Sequence, residues 1–226
     1  IYQPGSLDIA NGGATLTVMV EGNGVCSVEK EAETLVTINK NPVVNAGPQG
    51  TFCEDGIELS SASATNYDTV TWTVIEGNGQ FLPNNQVPNP IYVPGPLDFT
   101  NGTVTLKIEA TPLDSCSDTA SDVAIFDVYN NPLVNAGPDA TICEGDSYTL
   151  SQATATYQTS IEWVTSGTGS FNYNDITNPI YTPSLADIDN QSVTLTMNVT
   201  AEGSCSDDQN SMVLSIVKKP DIDAGS

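Results

Sequence analysis

The feature that most constrains the fold of this chain is a stretch that occurs twice and begins a third time. It reads NPVVNAGPQGTFCEDG from Asn41, NPLVNAGPDATICEGD from Asn131 and KPDIDAGS from Lys219. Other landmarks recur in step, about ninety residues apart, a spacing typical of a small domain and too long for a solenoid repeat. The sequence therefore predicts a string of similar domains.

The recurring landmarks also set the boundaries of the predicted domains. Tyr2, Tyr92 and Tyr181 each follow isoleucine and each precede a proline by two residues, while Trp72 and Trp163 form a second series. We predict the following segments: the C-terminal half of a repeat at 1–40, complete repeats at 41–130 and 131–218, and the start of another at 219–226.

Short alternating runs separated by turn signals indicate the fold class. Val193, Leu195, Met197 and Val199 alternate with polar residues, as in a strand that buries one face. About seven such strands in ninety residues predict an all-β fold of tandem immunoglobulin-like (PKD-like) antiparallel β-sandwich domains in a linear array. The tryptophans fall on the third strand of each repeat, where this fold buries a tryptophan in its core.

Proline, glycine and serine add local predictions. Gly137-Pro138 predicts a kink at which the first strand changes sheets. The prolines around residues 178–182 predict a short edge strand. Ser184 is placed to cap one helical turn.

Composition excludes several classes of function. The chain has 28 acidic and 5 basic residues, a formal net charge of −23 and no histidine. Such a surface repels nucleic acid and anionic membranes, and no apolar run reaches the length of a membrane span. Without histidine, and without a glycine-rich phosphate loop between a strand and a helix, we predict that the chain is not an enzyme.

The repeated residues resemble those of a known class of surface protein. The runs NAGPDATICEGDSYTL and VTLTMNVTAEGSC, together with the tryptophan strand, are similar to tandem PKD-like and immunoglobulin-like repeats. Those repeats occur in very large secreted surface proteins of Bacteroidetes, including gliding-motility adhesins and type IX secretion substrates. The resemblance implies a secreted, extracellular module at the cell surface.

Two functional hypotheses follow. The first is a structural stalk or filament segment of a cell-surface adhesin that holds a binding region away from the cell. Its partners would be neighbouring repeats of the same chain, laterally associated chains in a filament, and extracellular surfaces or glycans reached through other regions. The alternative is a polysaccharide- or protein-binding module of a secreted enzyme or scaffold, for which Tyr67, Tyr157 and Tyr173 on predicted loops are the candidate aromatic contacts.

Calcium is the candidate metal, because hard oxygen ligands are abundant. In sandwiches joined end to end, the turn after the first strand and the segment before the penultimate strand share one pole. The alternative, solvated acidic turns and helix capping, explains the same residues without an ion. The candidate ligands are Glu54, Asp55, Asp98, Glu144, Asp146 and Asp187.

Glycosylation is a separate candidate modification. Thr69 and Thr119 lie in Asp-Thr-aliphatic triplets, the pattern that carries O-glycans in Bacteroidetes. Such short patterns also arise by chance.

Five cysteines without a CxxC pair predict disulfides rather than a thiolate metal site. Pairing within one repeat would join Cys53 to Cys116 and Cys143 to Cys205. The strand that ends at Cys143 spans about 36 Å at roughly 3.3 Å per residue, so Cys143 and Cys205 fall at opposite poles of one sandwich. Because one pole meets the opposite pole of the next repeat, we favour an inter-domain Cys53–Cys205 bond, with partners outside the chain for Cys26, Cys116 and Cys143.

Overall fold

The computed structural model describes residues 1–25, 28–114 and 116–220. The chain consists of tandem immunoglobulin-like antiparallel β-sandwich domains, as predicted, with short helical turns between strands. The described residues divide into two compact units, one formed by 1–50 with 57–126 and the other by 51–56 with the residues from 127 onward. Most of the predicted segment 219–226 lies outside the described residues.

The described residues of 1–40 form one helix and two paired strands. The elements are α1 (Ser6–Asn11), β1 (Gly13–Val20) and β2 (Lys30–Thr37). The two strands pair antiparallel along their whole length, from Gly13 beside Thr37 to Val20 beside Lys30.

The described residues of 41–130 form nine strands and one helix. The elements are β3 (Val43–Asn45), β4 (Gly50–Phe52), β5 (Ile57–Glu58), β6 (Ser63–Thr65), β7 (Tyr67–Glu76), β8 (Gln80–Leu82), β9 (Ile91–Val93), α2 (Pro96–Asn101), β10 (Thr103–Pro112) and β11 (Ala120–Val128). They form a four-stranded sheet in the order β4-β11-β10-β7, a three-stranded sheet β5-β9-β8 and the pair β3-β6.

Residues 131–218 repeat the same plan. The elements are β12 (Leu133–Asn135), β13 (Ala140–Cys143), β14 (Tyr148–Thr149), β15 (Thr154–Thr156), β16 (Ser160–Thr165), β17 (Ser170–Phe171), β18 (Ile180–Thr182), α3 (Leu185–Asn190), β19 (Ser192–Thr200) and β20 (Asp208–Val217). The sheets are β13-β20-β19-β16, β14-β18-β17 and β12-β15. Within the larger sheet, β13 runs parallel to β20, whereas β19 is antiparallel to both of its neighbours.

The predicted change of sheet at Gly137-Pro138 is confirmed. Before it, β12 pairs with β15, and after it β13 joins β20 in the other sheet. Gly137 has φ of 90°, a conformation that residues with a Cβ rarely adopt, so glycine allows the chain to turn there.

The predicted edge strand at 178–182 is wrong, because β18 lies between β14 and β17. Pro179 and Pro183 flank β18 rather than lie within it. The strand therefore keeps the backbone N–H groups that a central position requires.

The core of 131–218 is built around the predicted tryptophan. Trp163 is 2% exposed and packs against Phe171, with ring centroids 5.9 Å apart, and Phe171 packs against Tyr181 at 5.0 Å. The alternating residues of β19 are buried beside it, together with Leu150. The same ring series occurs in 41–130, so the prediction that both tryptophans belong to the core is confirmed.

Candidate functional site

A disulfide joins Cys53, just after β4, to Cys205, in the loop between β19 and β20. Their Cα atoms are 5.5 Å apart and the two residues are separated by 152 positions in the sequence. Residues 51–56 belong to the same compact unit as the loop that carries Cys205. The bond therefore lies inside that unit, although its cysteines come from different predicted repeats.

Neighbouring residues hold the loop of Cys205 against the strand of Cys53. The Ser204 hydroxyl donates to the carbonyl oxygen of Thr51 at 3.1 Å. Gly203 has φ of 62°, and a Cβ there would approach the Tyr129 ring to 2.6 Å, so only glycine fits without a shift. The backbone of Tyr129 is fixed in turn by its N–H bond to the Phe52 carbonyl.

Cys143 and Cys116 stand in local positions equivalent to those of Cys53 and Cys205, without a disulfide partner among the described residues. Cys143 precedes the same tight turn as Cys53, with Asp146 N–H bonded to its carbonyl where Gly56 N–H bonds to that of Cys53. Cys116 donates its N–H three residues back, as Cys205 does. Cys26 lies outside the described residues. Pairing of these three with other repeats stays a prediction.

A buried carboxylate organises each complete repeat. In 131–218, Asp187 of α3 is 1% exposed and its Oδ2 accepts three hydrogen bonds: from the Tyr181 hydroxyl at 2.8 Å and from the N–H groups of Ser184 and Gly169 at 2.9 Å. Its Oδ1 accepts from Thr168 N–H at 3.0 Å. We call this arrangement of tyrosine, aspartate and the preceding Gly-x-Gly turn the Tyr–Asp clamp.

The clamp recurs in 41–130 with one difference: the second glycine of the turn, Gly79, donates to the tyrosine hydroxyl, whereas Gly169 donates to the aspartate. Asp98 is fully buried, and its Oδ2 accepts from the Tyr92 hydroxyl at 2.7 Å and from Gly95 N–H at 2.8 Å. Its Oδ1 accepts from Asn78 N–H at 2.8 Å, and the Tyr92 hydroxyl accepts from Gly79 N–H at 3.0 Å. The clamp thus ties the turn after the tryptophan strand to the start of the helix.

Ser184 caps α3, as predicted, and takes part in the clamp. Its Oγ accepts from Asp187 N–H at 3.2 Å, while the Asp187 carboxylate accepts from Ser184 N–H. This reciprocal pair is a capping box. Gly95 occupies the equivalent position in 41–130.

The protonation of the clamp is set by burial and by these bonds. Burial of the phenol raises the pKa of Tyr181 to about 12, and the Asp187 carboxylate that accepts its hydrogen bond adds to the rise. Burial also raises the pKa of Tyr92. For Asp187, burial alone would raise the carboxyl pKa, but the hydrogen bonds that it accepts outweigh burial and hold the pKa below its usual value.

We expect stability to fall at alkaline pH because of these tyrosines. A phenol with a raised pKa in the folded state contributes stability that is complete below the unfolded pKa, about 10, and is lost as the pH rises through the folded value. The free energy of unfolding should therefore decline between about pH 10 and pH 12. Denaturant titrations at a series of pH values measure this decline. Tyr181→Phe should make it shallower, and an unchanged slope in that variant would contradict the assignment.

The clamps bear on the calcium prediction. N–H and hydroxyl donors point at both oxygens of Asp98 and of Asp187. The alternative interpretation, a capping role, explains these two residues without an ion, and calcium binding at them stays a prediction.

The remaining calcium candidates lie in turns, where Glu54, Asp55 and Asp146 are exposed and Glu144 is half-buried. Glu54 and Asp55 follow β4, and Glu144 and Asp146 follow β13. One oxygen of Glu144 accepts from Lys219 N–H at 2.9 Å. Within the described ranges, no three Asp, Glu, Cys or His side chains come together as a metal site. Calcium binding at these turns stays a prediction.

The predicted glycan acceptors are both at the surface. Thr69 lies in β7, and its hydroxyl is hydrogen-bonded to that of Thr111 at 2.7 Å. Thr119 is exposed in the segment before β11. Glycosylation of either threonine stays a prediction.

The aromatic candidates of the alternative function are dispersed. Tyr173 is 64% exposed and lines a groove of ≈ 620 Å³ beside β16, together with Glu162 and Asp175. Tyr157 is exposed but does not line that groove. Tyr67 begins β7 and is half-buried, so its predicted loop position is wrong.

No helix in the described part of the chain has the length and apolar character needed to cross a membrane. No family model matches the sequence, and no curated protein matches it.

Similarities to solved structures are found among cadherin repeats. Human CDH23 EC21–23 is 17% identical, with a TM-score of 0.46, and the match covers 90% of this chain and 74% of that chain. Drosophila N-cadherin EC1–4 is also 17% identical, with a TM-score of 0.47 and coverage of 92% and 58%. Protocadherin gamma C5 EC1–3 is 13% identical, with a TM-score of 0.45 and coverage of 94% and 79%.

Proposed function

We propose that this chain is a structural segment of an extracellular adhesive protein, in which successive immunoglobulin-like repeats are fastened covalently and act as a stalk. The segments 1–40, 41–130, 131–218 and 219–226 are the repeats or parts of repeats in this proposal. The observation that carries it is the Cys53–Cys205 disulfide, whose cysteines come from the first third of one repeat and the last loop of the next.

The internal construction of the repeats supports this role. Both complete repeats use the same tryptophan, the same Tyr–Asp clamp and the same sheet order. In each repeat the buried aspartate accepts hydrogen bonds on both oxygens from groups of the fold, so a structural role explains it without acid–base chemistry. Repeated domains that are covalently joined suit a long fibre that carries tension. In this proposal the chain is not an enzyme.

The disulfide and the charge support an extracellular location. Disulfides persist in oxidising compartments, such as the cell exterior. A net charge of −23 keeps the protein soluble, and extracellular cations screen this charge. The resemblance to Bacteroidetes adhesins and type IX secretion substrates fits this location, and lateral association of chains into a filament belongs to the same proposal.

A polysaccharide-binding role is the second candidate, favoured by the groove that carries Tyr173. An aromatic side chain beside polar groups is a common sugar contact. Glycan-array binding that is lost in Tyr173→Ala, but kept in Tyr157→Ala outside the groove, would favour this role over the stalk.

Stretching of single chains tests the stalk. With the bond intact, the pulling force does not act on the chain between the two cysteines, which are 152 positions apart. This part of the chain would measure about 500 Å when extended at roughly 3.3–3.6 Å per residue. We expect the oxidised chain, pulled from its two ends, to extend about 500 Å less than the reduced chain. Oxidised Cys53→Ser should extend like the reduced chain. Equal extensions of the oxidised and reduced chains would refute a tension-bearing bond.

A further inference from the structure

One position of the loop before the last strand of each complete repeat touches the end of the repeat before it. Asp114 and Gly203 occupy this position, each two residues before a cysteine and each with positive φ, 51° and 62° respectively. They meet Asn39 and Tyr129 respectively, which each lie two residues before the recurring Asn-Pro. The two pairs are therefore equivalent, and each lies within one compact unit.

The first pair is polar. Asn39 Nδ2 donates to Oδ2 of Asp114 at 2.7 Å, and beside it Asn41 Nδ2 donates to Oδ2 of Asp118 at 3.1 Å. Each bond joins a side-chain amide next to the boundary at residue 40 to a carboxylate of the loop. A charged acceptor strengthens such a bond. This junction is therefore held by charge-assisted hydrogen bonds.

The second pair is packed instead. A Cβ at Gly203 would lie 2.6 Å from the ring of Tyr129, so the ring rests on the backbone of this glycine. Asp207 is the counterpart of Asp118, but its carboxylate accepts a backbone N–H of its own loop at 2.9 Å. This junction is therefore held by contact between an aromatic ring and a residue without a side chain.

We propose that the two residues of each pair are matched and that they determine which repeat can follow which. A repeat that ends with asparagine at this position fits a successor whose loop carries aspartate. A repeat that ends with tyrosine fits a successor whose loop carries glycine. The partner that each junction selects is thus another immunoglobulin-like repeat, and the inference rests on the proposed division of the chain into repeats.

The residues of one pair do not suit the other pair. An aspartate in place of Gly203 would push its Cβ into the Tyr129 ring and bring a carboxylate against the negative face of the aromatic system. An asparagine in place of Tyr129 would find no side-chain acceptor on Gly203, and the apolar contact would be lost. A mismatched junction therefore either lacks room for its side chains or lacks a contact.

The Cys53–Cys205 bond measures the second junction, because the two cysteines bond only when their Cα atoms come within about 7 Å. The full chain is equilibrated in a glutathione redox buffer, alkylated and digested, and the fraction of linked peptide gives the equilibrium constant for disulfide formation. We expect Gly203→Asp to lower this constant about tenfold or more, because it overpacks the junction. Tyr129→Asn should lower it about threefold, through the lost contact alone.

The double variant, Tyr129→Asn with Gly203→Asp, separates matched residues from independent ones. It reproduces the first pair, and the asparagine and aspartate that flank that pair already have counterparts here, Asn131 and Asp207. We expect its equilibrium constant to exceed, by about tenfold, the value calculated from two independent substitutions. Effects that simply combine would overturn the matching.

Two further measurements guard against a damaged loop or a damaged fold. In a Tyr129→Ala background the ring is gone, so Gly203→Asp should change the constant by less than about threefold. A full loss in that background would show that backbone strain is the cause, which would overturn the matching. The emission of the buried Trp163 should stay that of the parent chain in every variant, because the substitutions lie in the loop and the linker.

The parent chain distinguishes this inference from the proposed stalk. A parent chain that forms no Cys53–Cys205 bond would overturn the stalk and the matching together. A parent chain that forms the bond, with independent effects of the two substitutions, would overturn the matching alone and leave the stalk in place.

Discussion

Replacing Asp187 by alanine is expected to destabilise the unit that contains residues 131–218 by about 3–4 kcal/mol. The change removes the acceptor of four donors: the Tyr181 hydroxyl and the N–H groups of Thr168, Gly169 and Ser184. Buried donors left without a partner each cost about 1–3 kcal/mol, reduced where water can enter. Denaturant unfolding followed by Trp163 fluorescence in a Trp72→Phe background measures the effect in this unit.

Asp189→Ala is the matched control. Asp189 lies on the same helix, but its side chain is 76% exposed and pairs with Lys218 at the surface. Surface ion pairs contribute about 0–1 kcal/mol, so this variant should stay close to the parent chain. Equal losses of stability in the two variants would mean that the Tyr–Asp clamp does not stabilise this unit.

Replacing Gly79 by alanine should cost about 3 kcal/mol or prevent folding of the repeat 41–130. A Cβ at Gly79 would overlap the Tyr92 hydroxyl and the Val93 carbonyl oxygen, and backbone atoms cannot move aside cheaply. Gly79 is not among the glycines with positive φ, so the expected loss comes from crowding rather than from backbone strain. The change in the midpoint of unfolding, read from Trp72, measures it.

Gly102→Ala in the same repeat separates the two causes. Gly102 has φ of 71°, but a Cβ there would meet no atom within 4 Å. Its loss should be limited to the strain of a left-handed residue, about 1 kcal/mol. A larger loss at Gly102 than at Gly79 would contradict the packing explanation.

The sequence was sufficient for features that depend on local patterns. Alternation in β19, the turn at Gly137 and the cap at Ser184 each follow from residues within one element, and the structure confirms them. The position of β18 in its sheet was wrongly predicted, because proline at either end of a strand and proline within it look alike in a short run.

The Tyr–Asp clamp was missed because its parts are separated along the chain. The Gly-x-Gly turn precedes the tyrosine by more than ten residues, and no local pattern connects the two. The signal was present in the repetition: glycines, tyrosine and aspartate recur together about ninety residues apart. The sequence predicts Asp98 and Asp187 as candidate calcium ligands with helix capping as the alternative, because sequence alone does not show that a carboxylate is buried among hydrogen-bond donors.

Peptide mapping without reductant tests most directly whether successive repeats are covalently fastened. Trypsin and a glutamate-specific protease together release Cys53 in a peptide of residues 41–54 and Cys205 in one of residues 203–218. Cys116 and Cys143 stay together in a peptide of residues 110–144. We predict that 41–54 is recovered linked to 203–218 and that reduction separates them. Recovery of 41–54 linked to 110–144 would contradict the inter-repeat bond and the stalk that depends on it.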